Sequence, residues 1–186
     1  EALYEVAQKH RVPMTWFVDT KSQEEMIPAF ERMLNQEFGI HCFRHRVFKE
    51  YDRNLENISR AMEVFRLGNL EAKGFAAPFG KWNKALARAV KELGFEYSSE
   101  FSYDYDNLPS RPVFEDKVTG VWQIPVHPIC IGSLSRQGYK DAKMIQYFEF
   151  IMRQKLGARE PLVFYHHPKD RHHRVLEHVF NYVDSH

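Results

Sequence analysis

Phe38-Gly39-Ile40-His41-Cys42-Phe43-Arg44-His45 is an apolar, strand-like run that ends by delivering two histidines four residues apart. The reading here is a strand over Phe38 to Phe43. If the chain turns helically after Ile40, residues i and i+4 lie on one face, and both imidazoles reach one cation. The plain alternative is two solvated or hydrogen-bonded histidines. The surrounding pattern decides between them.

Outward from that stretch, strand and helix patterns alternate. Upstream stand a helix through about Lys9 and a β-favouring run, Met14 to Val18, after Pro13. A helical stretch then carries Ile27, Phe30 and Leu34 on one stripe. Downstream, Leu55, Ile58, Met62 and Phe65 recur at helical spacing, with Asp52 or Asn54 as candidate caps and Gly68 as the stop. Gly74 to Ala77 reads as a short strand ending in Pro78-Phe79-Gly80. Asn83 can cap a helix bearing Leu86, Val90 and Leu93, closed by Gly94. Phe95 to Phe101 reads as strand, and the polar stretch Ser102 to Gly120 as a long surface loop. Strands at Val121–Val126 and Pro161–Tyr165 flank a helix from Asp141 to Gly157, and a helix over Val175–Val183 closes the chain. This order predicts an α/β fold with a mainly parallel sheet, open or closed as a barrel, in a single domain over 1–186. Its functional loops belong at the strand C-termini.

Composition narrows the function classes. Among 186 residues, 44% hydrophobic content supports a folded core. Lys and Arg number 26 against 25 Asp and Glu, a balance that provides no footprint for nucleic acid or anionic lipid. No apolar run is long enough to span a bilayer. Cys42 and Cys130 imply no disulfide framework.

Four features fall just past predicted strand ends: His41/His45, Pro78-Phe79-Gly80, Ser98-Ser99-Glu100 and His166-His167-Pro168. With them the chain resembles the polysaccharide deacetylases of the carbohydrate esterase type. Val12 to Val18 resembles that family's second strand, and Glu37 to His45 its His-(Ser/Thr)-x-x-His metal motif. Phe75-Ala76-Ala77-Pro78-Phe79-Gly80 resembles its Arg-x-Pro-(Tyr/Phe)-Gly segment. Ile124-Pro125-Val126 resembles a later barrel strand, and Phe164 to Pro168 the final strand with its catalytic histidine.

The resemblance implies a distorted, incomplete (β/α) barrel of the polysaccharide deacetylase type and a metal-dependent hydrolase that removes N-acetyl groups from a glycan. A divalent metal, usually zinc, would be held by His41 and His45. His167, in preference to His166, would protonate the departing amine. Phe79, Trp82 and His127 are candidates to contact an N-acetylated oligo- or polysaccharide.

There are departures. The family's Asp-Asp segment, source of the base and the third ligand, belongs ahead of Glu1, so the expectation is an N-terminally truncated, divergent member. Ala76 stands where an arginine is usual. Glu100, Asp104 and Asp106 read as solvated loop acids, and Cys42 as a packed, inert thiol. His172 and His173 read as part of a solvated turn, and His178 and His186 as plain members of the terminal helix and tail. The alternative function is a non-catalytic glycan-binding or scaffold domain on the same fold. A more distant one is a different α/β metal hydrolase acting on small amides. The compartment is left between cytoplasm and cell envelope.

Overall fold

The computed structural model describes residues 2–101, 108–114 and 117–185. In chain order its elements are α1 (Ala2–Lys9), β1 (Thr15–Val18), α2 (Thr20–Gln23), a 3-10 turn (Glu24–Met26), α3 (Ile27–Phe30), β2 (Glu37–Ile40), α4 (Tyr51–Leu67), β3 (Gly74–Phe75) and a second 3-10 turn (Pro78–Gly80). They continue with α5 (Lys84–Glu92), β4 (Tyr97–Ser98), β5 (Val113–Phe114), β6 (Lys117–Val118), β7 (Trp122–Gln123), α6 (Ile131–Arg136), α7 (Asp141–Ala158) and α8 (His173–Asp184).

One compact unit comprises Met14–Phe101 and Pro109–Pro125. Its sheet has the order β1-β2-β3-β4-β7, and every neighbouring pair is parallel. Parallel neighbours need long crossovers, and α4 and α5 supply them. Ile58, Ala61 and Phe65 of α4, and Leu86, Ala89 and Val90 of α5, are buried against Ile40 and Phe75 of the sheet. Each fully buried large side chain contributes about 1.5–3 kcal/mol. Asn83 caps α5 as expected, its side chain accepting from the Leu86 N–H.

The second unit holds the N-terminal segment to Pro13 and the C-terminal segment from Val126. Met144, Phe148 and Met152, spaced four apart on α7, form one buried stripe. Val175, Leu176, Val179 and Phe180 form that of α8. Lys9 of α1 pairs with Glu177 of α8 at 2.8 Å.

Several expectations need correction. The strand from Phe38 stops at Ile40, because Cys42 adopts a left-handed φ of 68° that ends the extended run. The helix expected through Leu34 is broken into short turns ending at Phe30. Pro28 lacks the N–H to continue one helix, and Leu34 is exposed. Neither Asp52 nor Asn54 caps α4, which starts after Glu50. The loop expected over 102–120 contains the antiparallel pair β5–β6. Pro161–Tyr165 forms no strand among the described residues; Val163 O accepts one bond from the His127 N–H at 2.9 Å.

Candidate functional site

The parallel register sets three strand ends side by side. Val18 pairs with Ile40, and Ile40 with Phe75, so His41 emerges beside Ala76 at the sheet's C-terminal edge. His41 Nδ1 lies 2.7 Å from the Ala76 carbonyl oxygen. A carbonyl can only accept, so Nδ1 carries the proton and Nε2 presents a lone pair. That Nε2 lies 2.9 Å from His45 Nε2. The expected convergence is present, but a loop reversed at Cys42 achieves it rather than a helical turn. Two imidazole donors on one tetrahedral zinc stand roughly 3.3 Å apart, a little more than this separation, so the pair could hold a divalent cation after a small opening.

The loop bearing His45 is held from α4. Asn57 accepts from the Arg44 N–H at 2.8 Å and donates to the carbonyls of Arg44 and Arg46. Asn54 does the same for Phe48, at 2.9 Å in each direction. Phe79 is exposed and packs edge-on to His45, with ring centroids 4.6 Å apart. Trp82 instead leans on the core and lines a shallow cavity of about 290 Å³ with Ala87, Val90 and Val121. Cys42 is the inert thiol expected: burial pushes it up to about 12, and Asp19 adds to the shift.

Two acids stand at this edge, and of these the sequence reading passes over Asp19 and takes Glu100 for a solvated loop acid. Asp19 directly follows β1, and its Oδ1 is buried without a hydrogen-bond partner. The rule that selected the other features, a polar group one residue past an apolar strand, applies to it equally. Glu100 is buried rather than solvated, with 1% of its surface exposed. It accepts from the Ala77 N–H at 3.1 Å and from Gln123 Nε2 at 3.3 Å. The Ala77 N–H and the Ala76 carbonyl belong to one peptide unit. Glu100 and His41 therefore bind opposite sides of the same amide, an arrangement that polarises it. Asp104 and Asp106 lie outside the described residues.

Burial raises the Glu100 carboxyl to about 7, against the opposing hydrogen bonds. Its folded pKa thus exceeds its unfolded one, so between about 4.5 and 7 the folded state keeps a proton that the unfolded state releases. Stability falls across that window as pH rises. Glu100→Gln should remove the loss, raising stability by up to about 3 kcal/mol at pH 8 and hardly at all at pH 4. Thermal melts at the two pH values check this, and an equal change at both contradicts it.

In the second unit, His167 Nδ1 lies 3.3 Å from Asp170 Oδ2. Hydrogen bonding to Cys130 raises the His167 pKa against burial, and Asp170 helps. Burial alone would push the Cys130 thiol up, but hydrogen bonds with His167, Tyr165 and Ser133 bring it down to about 6. His166 differs: burial lowers it to about 4, and both ring nitrogens are buried without partners. It is neutral at physiological pH, whereas His167 is biased toward its cation.

His127 sits in an aromatic cluster. Its Nε2 is 2.8 Å from the Tyr147 hydroxyl, and its ring stands edge-on to Phe164. His172 is not merely solvated, since it bridges Asp141 at 2.7 Å and Ser135 at 2.9 Å. His178 bonds Glu149 at 2.8 Å. His186 lies outside the described residues.

A family model described as polysaccharide deacetylase matches residues 1–98. Solved structures share the fold at low identity. A structure assigned as a polysaccharide deacetylase from Mycobacterium smegmatis superposes with a TM-score of 0.82 at 19% identity, over 97% of this chain and 68% of that one. One so assigned from Pseudomonas aeruginosa PAO1 does so with a TM-score of 0.78 at 19% identity, over 99% and 66%. A CE4 family pseudoenzyme from Bacillus anthracis matches with a TM-score of 0.64 at 14% identity, over 98% and 54%. The chain thus spans about two thirds of the length of the first two and about half of the third. A comparison with curated protein sequences returns no match.

Proposed function

The chain belongs to the polysaccharide deacetylase family, and we propose that it acts as a metal-dependent hydrolase of N-acetyl groups on a glycan. One observation carries the reading: two imidazole Nε2 atoms 2.9 Å apart, with the His41 tautomer locked by Ala76. His41 and His45 would hold a divalent cation, zinc by donor preference. When bound, that cation supplies Lewis-acid polarisation of an acetyl carbonyl and acidifies water.

The protein's own groups do the rest. His41 stays oriented through Nδ1 on the Ala76 carbonyl, which Glu100 backs from the other side of the peptide. Asp19, with an oxygen that has no partner, is a candidate to accept a proton from attacking water. No adjacent Asp-Asp pair occurs in these 186 residues. His167, biased toward its cation, is the candidate to protonate the departing amine; neutral His166 is not suited to that step. Phe79 offers an exposed ring for a sugar face. Trp82 and His127 are more engaged in packing.

The test is acetate release from N-acetylated chito-oligosaccharides and peptidoglycan fragments by the polypeptide as naturally produced. Release that EDTA abolishes and zinc restores is expected. Absence of both metal binding and acetate release would overturn the reading.

Ala76 favours a second reading. It presents a buried methyl where the family usually has arginine, which fits a glycan-binding domain without turnover. Oligosaccharide affinity that survives chelation, without acetate, would select it.

A further inference from the structure

We propose that Cys130, His167 and Asp170 form a thiolate-containing site for a borderline-soft divalent cation such as zinc, separate in its ligands from the His41/His45 pair. One donor atom from each of the three residues lies within 4.8 Å of the other two, and among the described residues no other set of three or more His, Cys, Asp or Glu does so. Sulfur, imidazole nitrogen and carboxylate oxygen together are a zinc donor set. The 3.3 Å between His167 Nδ1 and Asp170 Oδ2 makes a long hydrogen bond. Roughly the same distance separates two such donors on a tetrahedral ion.

The backbone is shaped for this approach. Cys130 stands at the start of α6, and the two other ligands occupy the turn before α8. The Asp170 N–H donates to the His167 carbonyl at 2.9 Å and closes that turn, placing their side chains together. Gly132, in the first turn of α6, clears the space for the carboxylate. A Cβ there would stand 2.0 Å from Asp170 Oδ2 and 2.4 Å from its Cγ, so any larger residue would push the carboxylate from this position. Cys130 is buried and the Asp170 side chain nearly so, while the His167 side chain is 47% exposed. A cation can enter past the imidazole, and a fourth position would open on the same side. On binding, Cys130 coordinates as thiolate and His167 as neutral imidazole, any proton that either carries passing to solvent; lone pairs of sulfur, nitrogen and carboxylate oxygen form the new bonds, and no electron is transferred. Occupancy takes His167 out of proton transfer; that consequence rests on the glycan-hydrolase reading, whereas the site itself does not.

Cobalt(II) is the probe, because a thiolate ligand adds a sulfur-to-cobalt charge-transfer absorption that nitrogen and oxygen ligands lack. It is titrated into the His41→Gln/His45→Gln double variant, which leaves the proposed site intact. The expected result is a charge-transfer band saturating at one cobalt per chain. Adding Cys42→Ser should leave the band unchanged, and Cys130→Ser should abolish it. Asp170→Asn and Gly132→Ala should each weaken cobalt affinity at least about tenfold. No band in the double variant, or a band that survives Cys130→Ser, overturns the proposal. Should Cys130→Ser fail to fold, the near-isosteric Asp170→Asn decides, and an undiminished affinity there overturns it as well. Acetate release does not enter this readout, so the two proposals fail independently.

Discussion

His45→Gln is expected to lower zinc affinity at the His41/His45 pair by at least about 100-fold and to bring acetate release to background. The pair supplies two imidazole nitrogens, and removing one leaves the cation a single imidazole of the two. The fold should survive, because His45 is exposed and its loop is held by Asn54 and Asn57 rather than by the imidazole. Surface changes of this kind usually move stability by no more than about 0.5 kcal/mol. Competition against a chromogenic chelator measures the affinity, and a thermal melt checks the fold. An unchanged zinc affinity in His45→Gln, with the cation still bound at His41, would contradict the account.

His167→Gln is expected to reduce kcat on N-acetyl substrates by about 10²–10⁴-fold, the usual contribution of a positioned general acid. An amine is a poor leaving group and needs its proton. A phenolate does not, so hydrolysis of an aryl acetate should be largely spared. This difference separates a lost proton donor from a damaged fold. The sign of the pH dependence follows from the raised His167 pKa: the donor is active when protonated, so the rate declines as pH rises through that value. Asp170→Asn removes a carboxylate that favours the cation and should move the decline to lower pH. An equal loss on both substrates, or no shift in Asp170→Asn, would argue that His167 is structural.

Much of the fold was legible because its signals are local. The helical recurrence of Ile58 and Phe65, the Asn83 cap and the short apolar strands each lie within a window of a few residues. The His41/His45 pair was legible for the same reason. What escaped depends on contacts distant in sequence. Glu100 looks like a loop acid until Ala77 and Gln123 close over it. Cys130 and His167 are 37 residues apart, and no spacing rule joins them. The geometry that brings His41 and His45 together depends on a left-handed Cys42, a conformation uncommon for a non-glycine residue and unmarked by composition. Pro161–Tyr165 has the composition of a strand yet makes one described backbone bond to His127 rather than a ladder. Edge pairing is decided by neighbours, not by propensity.

Anomalous scattering at the zinc edge from zinc-loaded crystals of this protein tests whether His41 and His45 share a cation. The account predicts a peak about 2.0–2.1 Å from both His41 Nε2 and His45 Nε2, with His41 Nδ1 still on the Ala76 carbonyl. Two imidazoles hydrogen-bonded to one another with no anomalous peak between them, at saturating zinc, would contradict it.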